Sequence, residues 1–298
     1  MDGRKEMTST LPRITVVTAV FNGAKHIEKT ITSVLEQGYP NLEYMIVDGG
    51  STDGTVDIIK KYADKLAYWT SEKDDGMYSA IQKGFNRATG EIMAWINADD
   101  YYGEHCFETV AEIFGKFPQV EWLTGLNVHY DENGRIINAW SPRPFTRLDF
   151  LSGDFMFVQQ ESTFWKRSLW EKAGSKFGKY RLADDFDLWL RFSRHAMLYC
   201  TSAYLGGFRI RSENQLSLEG RDEYLRECED AIANEIPTKV ERKLLRKIRF
   251  WKAIKQVLRK TRIFNADLPN LFVNGINDKV YGNRIVDYDR LKQDFVLR

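Results

Sequence analysis

Cysteine is scarce in this 298-residue chain, and the three that occur, Cys106, Cys200 and Cys228, are widely spaced. That number and spacing exclude a disulfide framework and match no thiolate metal-site pattern, so they read as reduced thiols of a cytoplasmic protein. Long hydrophobic runs are missing too. No stretch of about 18 apolar residues occurs, and Met1 to Pro12 lacks the apolar core of a signal peptide, so any membrane contact is expected to be peripheral. Charge of one sign is absent overall: the net charge is +1, which gives no general case for nucleic acid, and no nucleic-acid partner is expected. No internal repeat or low-complexity tract is visible. What remains, 43% hydrophobic and 13% aromatic residues, is enough to bury one substantial core and a smaller second unit.

The β-branched run Ile14 to Val20 is followed by Asn22-Gly23 and by Ile27, Ile31, Val34 and Leu35 at helical spacing. Leu42 to Val47 is the next strand, Asp48 to Gly54 the next turn, and Val56, Ile58, Ile59 and Tyr62 mark a second helix. Leu66 to Thr70, Met77 to Ala88 and Glu91 to Ile96 continue as strand, helix and strand. This alternation predicts an α/β fold with an open, mostly parallel sheet and helices on both faces. Beyond Tyr102 it loosens: a helix over Phe107 to Phe117, a hairpin of Glu121 to Tyr130 with Arg135 to Trp140 around Asn133-Gly134, a helix over Ala183 to Ser193, a short strand over Met197 to Thr201, and a polar loop over Gly206 to Ser217.

Acids gather at the predicted strand ends. Asn97-Ala98-Asp99-Asp100 follows the fourth strand, where an open α/β sheet binds ligands, and hard oxygens there suit Mg²⁺ or Mn²⁺ carrying a diphosphate. The plainer reading is a pair of exposed turn acids. Asp48 to Thr55 offers a glycine-rich turn and helix start to an anion, or is an ordinary connection with an Asp cap. Asp74-Asp75-Gly76 adds acids at a third strand end; chance turn composition explains the pattern poorly. Asp184-Asp185 opens a helix, where it either complements the helix dipole or supplies a carboxyl with a raised pKa, a general base. Arg209 and Arg211, with Asn214 and Gln215, form a loop able to contact phosphate oxygens, or a solvated basic loop.

Taken in order, TAVFNG (18–23), VDGGSTDGT (47–55), SEKDDGMYSAIQKGFNRATGEI (71–92), NADD (97–100), QQESTFW (159–165) and ADDFDLWLRF (183–192) resemble glycosyltransferase family 2 over roughly residues 13–218. The resemblance implies a GT-A fold and inverting transfer from a nucleoside-diphosphate sugar, by default a UDP-sugar, to a glycan or lipid-linked glycan acceptor in surface-polysaccharide or O-antigen synthesis. It implies Asp100 as main ligand of Mn²⁺ or Mg²⁺, Asp99 near the ribose or metal, and Asp185 as the acceptor-activating base. Ala19, Phe21, Asn22, Asp48, Gly50, Asp74, Gly76, Asn97, Asp99, Arg209 and Arg211 then fall in the donor site. Two departures stand out: Gly49 replaces a second acid, and Arg209 and Arg211 stand where family members often carry His. On this reading 1–12 is a tail, 13–120 the donor half, 121–232 the acceptor and base half, and 233–298 a basic helical extension. The alternatives are a non-catalytic nucleotide-sugar-binding protein and a metal-dependent phosphohydrolase.

From Lys239 to Arg262 eleven basic residues accompany one acid, Glu241, and Val240, Leu244, Ile248, Trp251, Ile254 and Leu258 recur at helical spacing. Such a helix either lies on an anionic membrane, placing the protein on the inner face of the cytoplasmic membrane, or packs its apolar stripe on the acidic core.

Overall fold

A computed structural model describes residues 11–153, 158–211, 220–261 and 284–298. Strands β1 (Ile14–Val20), β2 (Leu42–Asp48), β3 (Tyr68–Ser71) and β4 (Ile92–Trp95) run parallel in the order β4-β1-β2-β3, joined by α1 (Ile27–Leu35), α2 (Thr55–Lys61) and α3 (Met77–Phe85). Every residue of β1 is buried, as a central parallel strand covered on both faces requires. α1 and α3 bury Ile27, Ile31 and Val34, and Tyr78, Ile81 and Phe85, so the helical spacing read from sequence is the packing face.

Further along lie β5 (Tyr101–Tyr102), α4 (Cys106–Lys116), β6 (Trp122–Thr124), β7 (Asn127–Tyr130), β8 (Ile136–Trp140) and α5 (Arg147–Leu151). They are followed by β9 (Thr163–Lys166), α6 (Arg167–Lys172), α7 (Asp184–Phe192), β10 (Tyr199–Thr201), β11 (Gly206–Arg209), α8 (Arg221–Ala233), α9 (Lys239–Thr261), β12 (Ile285–Asp289) and β13 (Asp294–Leu297). The main sheet has the order β13-β12-β10-β6-β9-β4-β1-β2-β3 and is mostly parallel; β9 is antiparallel to both neighbours and β13 closes an antiparallel edge. A second sheet, β5-β11-β7-β8, stands beside it.

Three expectations need correction. The segment Glu121 to Tyr130 is not one hairpin arm: it breaks at Gly125, whose amide bonds Ser162 O, so β6 joins the main sheet and only β7 pairs with β8. Gly206 to Arg209 is a strand, not loop, because two glycines let it press against Glu161 and Tyr130, where any Cβ would collide. The extension over 233–298 is helical only in part, since β12 and β13 extend the main sheet.

Two cores flank the sheet. On one face Trp189 of α7 is sandwiched between Trp95 of β4 and Trp122 of β6, with ring centroids 5.5 Å away on each side and interplanar angles of 12° and 22°. Trp165 and Phe192 close the same cluster. Buried aromatic pairs contribute roughly 0.5–1.5 kcal/mol each beyond their area, so this stack fixes α7, and with it Asp185, against the strands that end at Asn97.

Candidate active site

The turn after β2 is closed on itself. Asp48 is fully buried, and its carboxylate accepts from the amides of Gly50 (3.1 Å) and Ser51 (2.9 Å) and from the hydroxyls of Ser51 and Ser71 (2.6 Å). Three of these donors reach Oδ2 and one, the Ser51 hydroxyl, reaches Oδ1, so most of the carboxylate's acceptor capacity is used within the protein. Thr52 N–H goes to Asn22 Oδ1 and Thr55 N–H to Asp53 Oδ1, so the amides of the glycine turn serve the protein, not an anion. Of the alternatives for this segment, the connecting turn is what forms, and α2 has Gly54, not an acid, at its cap. Gly50 adopts φ +85°, which only glycine reaches without strain.

Around that turn stand the other donor-site expectations. Ala19 is buried at the end of β1, Phe21 is 67% exposed, and Asn22 is bonded across to Ser51. Asp74 is part-exposed and accepts from Gly76 N–H (2.9 Å). Its carboxylate oxygens lie 3.2 Å from the point a Cβ on Gly49 would occupy, so the missing second acid has left a space that Asp74 fills.

At the end of β4 the acids are differently served. Asp100 is fully buried; Oδ1 accepts from Arg209 N–H (2.8 Å) and Oδ2 from Asn97 Nδ2 (3.2 Å). Burial, then the charges of Asp99 and Glu161, push its carboxyl well above the usual range. Asn97 Oδ1 is buried with no hydrogen-bond partner, while its Nδ2 also serves Gln160 Oε1 (3.1 Å). Asp99 pairs with Arg211 Nε at 3.0 Å. Arg209 and Arg211 part company: Arg209 is buried and spends its guanidinium on the carbonyls of Asp99, Asp131 and Glu132, whereas Arg211 stays partly exposed. Arg209 thus clamps the hairpin turn to the acids through Nε and Nη1. Asn214 and Gln215 lie outside the described residues.

Asp185 opens α7 and is half-buried. Burial raises its carboxyl to about 7, against the pull of the Phe186 amide and the Tyr78 hydroxyl. Tyr78 comes from the first turn of α3, directly after Asp74 and Gly76; its hydroxyl donates to Leu182 O (3.1 Å) and accepts from Asp185 N–H (3.2 Å). It links the turn that carries Asp74 to the start of α7, and sequence reading missed it because an aromatic on a helical stripe looks like core. Glu161 was also missed as an individual residue. It is buried, accepts from Gln159 Nε2, and is pushed up by burial and by the charges of Asp99 and Asp185, so it lies between the two groups of acids.

Among the described residues no three His, Cys, Asp or Glu side chains converge on a cation site. The buried, unpartnered Asn97 oxygen and the raised Asp100 carboxyl nevertheless form an oxygen-donor set short of positive charge. That suits Mg²⁺ or Mn²⁺ held by one or two carboxylates, with a diphosphate supplying further oxygens.

Residues 15–174 match the model of Glycosyl transferase family 2. An uncharacterised glycosyltransferase of Mycobacterium tuberculosis is 30% identical over 189 residues, covering 62% of this chain and 70% of the relative. One from Nostoc is 26% identical over 211 residues, 68% of this chain and 63% of the relative. Among solved structures, S. aureus TarS 1–349 in complex with UDP-GlcNAc superposes with TM-score 0.60 at 18% identity, over 78% of this chain and 70% of that one. Mannosyltransferase PcManGT from Pyrobaculum calidifontis, in complex with GDP-Man and Mn²⁺, gives 0.60 at 18% over 92% and 82%. These likenesses are of fold, and the fold is GT-A.

Proposed function

The chain belongs to glycosyltransferase family 2, and from that premise we propose that it is a metal-dependent, inverting enzyme with Asp185 as general base. The observation that carries this reading is Asp185: a half-buried carboxyl with its pKa near 7, fixed on α7 by the tryptophan stack against the strand that ends in Asn97 to Asp100. Glu161, which feels both Asp99 and Asp185, supports the closeness of donor acids and base. The donor is a nucleoside-diphosphate sugar, UDP-linked by default. Asp74, in the space left by Gly49, and Asp48 at the end of β2 take the nucleoside contact, Asp74 being the more exposed of the two. Arg211 is the arginine placed to meet the diphosphate. Asp100 and Asp99 would hold the cation, which when bound offsets charge on the leaving diphosphate.

Asp185 accepts the proton of an acceptor hydroxyl as its oxygen bonds to the anomeric carbon from the face opposite the diphosphate. The bond from that carbon to the diphosphate oxygen breaks, and the nucleoside diphosphate leaves with the electron pair. The acceptor is a glycan or lipid-linked glycan of surface-polysaccharide synthesis. Asp185→Asn should lower turnover about 10²–10⁴-fold while calorimetric donor binding stays intact; unchanged turnover would remove Asp185 from the base role.

The membrane reading survives in altered form. Leu245 and Ile248 of α9 are buried on the core with Leu244 packed beside them, whereas Val240, at the start of the predicted stripe, is 67% exposed, so part of the apolar face is used internally. The opposite face leaves Arg242, Lys243, Arg246, Lys247 and Arg249 exposed around Phe250, which is 61% exposed. Among the described residues no helix is long and apolar enough to cross a membrane. Each basic residue near an anionic surface contributes about 1 kcal/mol, so this face would hold the protein at the inner leaflet, where lipid-linked acceptors lie. Flotation with anionic vesicles should be lost on reversing Arg246, Lys247 and Arg249 to Glu. Truncation near Pro237 is not a clean control, because it also removes β12 and β13 from the sheet.

A further inference from the structure

Asp185 follows a segment, Gly178 to Ala183, with no secondary structure of its own, and α7 has no side-chain cap at Ala183. Six successive backbone amides there end on two carboxylates. Asp184 accepts from Gly178, Lys179 (3.1 Å) and Tyr180 (2.8 Å); Glu227, from α8, accepts from Arg181 (3.1 Å), Leu182 (2.8 Å) and Ala183 (2.8 Å). α8 reinforces the seam at both sides, since Glu223 pairs with Arg181 and Asp230 accepts from Tyr180 Oη at 2.6 Å. Glu227 lies at the positive end of α7, where an anion is favoured. Its neighbours on the same face of α8, Tyr224 and Cys228, are both pushed up by the Asp185 charge in addition to burial, so this face lies against the base.

We propose that Glu227 is a positioning residue for the transfer reaction: its carboxylate fixes the segment that delivers Asp185, so that α8, outside residues 15–174, sets the placement of the base. This rests on the reading of Asp185 as base. Glu227 touches the chain ahead of Asp185 and no reacting atom. It acts through Leu182, whose carbonyl receives the Tyr78 hydroxyl that also bonds the Asp185 amide. A base displaced by about 1 Å can cost about 10²-fold in rate.

The test uses the full chain and nucleoside-diphosphate release from UDP-GlcNAc, UDP-glucose or GDP-mannose, whichever the wild type turns over. Glu227→Ala should lower kcat by about ten- to hundredfold with donor KM unchanged. It should also move the acid limb of the kcat–pH profile upward, because a loosened start of α7 weakens the Phe186 amide bond that holds the Asp185 carboxyl down. Glu227→Gln, which keeps one accepting oxygen for Leu182 and Ala183, should restore most of the rate and the limb. If the alanine variant does not fold, Glu227→Asp, one methylene too short, is read the same way. Wild-type kcat in these variants, or a loss that follows melting temperature and donor affinity with the pH limb unmoved, overturns the proposal. Asp185→Asn separates the two readings: if it remains active the base assignment fails, and if it is inactive while Glu227→Ala is normal only the positioning role fails.

Discussion

The turn after β2 and the strand-end site between β4 and α7 are both organised by buried or half-buried carboxylates, and they use them in opposite ways. Asp48 meets four donors, two amides and two hydroxyls. Glu43, at the other end of β2, is also well served by donors: burial works to raise it, yet Thr15, the Thr89 amide and hydroxyl, and Arg13 together hold it below its ordinary value. Across the sheet Asp100, Glu161 and Asp185 have fewer donors than their surroundings demand, and all three are pushed up. Burial alone therefore does not tell structural acids from reactive ones. The balance of donors against desolvation does, because a saturated carboxylate is already solvated by the protein while an under-served one still needs a proton, a cation or a substrate.

The largest effect that would break this comparison is on turnover. If Asp185 is the under-served base, the rate should rise with pH through about 7, since the deprotonated form accepts the proton, and Asp185→Asn should flatten that limb as well as remove most activity. A limb that persists in the variant would assign it to another group. Next, Asp100→Ala should abolish the gain in nucleotide affinity on adding Mn²⁺, read by calorimetry, whereas a retained gain would move the cation elsewhere. Asp48→Ala should act on folding instead: leaving its four donors unpaired is expected to cost about 2–4 kcal/mol in urea unfolding.

The smallest effect is also the sharpest contrast. The folded pKa of Asp185 is raised, so its contribution to stability is fully present below the unfolded value and is lost as pH rises through about 7. An amide there lacks that loss. Asp185→Asn should therefore be little changed in stability near pH 4 and gain on the wild type between pH 4 and 8, while Asp48→Ala is destabilised throughout; parallel melting curves for Asp185→Asn and wild type would remove the contrast.

The parallel half was legible because its signals are local: β1 is apolar on both faces, and α1 and α3 carry one buried stripe each. The acids at the strand ends were legible for the same reason. Asp48 was placed correctly in the fold, but its partners were not legible, because nothing in VDGGS says that Ser71, 23 residues away, will donate to it. The partners of Arg209 were illegible likewise, its three carbonyl acceptors belonging to two other segments. Tyr78, Glu161 and Glu227 carry no local motif for what they touch, and the partners of Glu227 and Tyr78 lie 44 to 107 positions away in the chain.

Sequence by itself determined the alternation of strand and helix and the row of acids at the carboxyl ends of β2, β3 and β4, which follow from residue periodicity and turn chemistry, and, through the order of its motifs, the resemblance to the family. Only the tertiary structure decided which of those acids is spent. It also decided that Gly206 to Arg209 is a strand, that the terminal hairpin completes the main sheet, and that Leu245 and Ile248 of α9 are covered while its basic residues from Arg242 to Arg249 are not. The physical reason is common to all four: a donor, a pairing edge or a covering surface supplied from far along the chain changes the energy of a residue without leaving a mark in its neighbours.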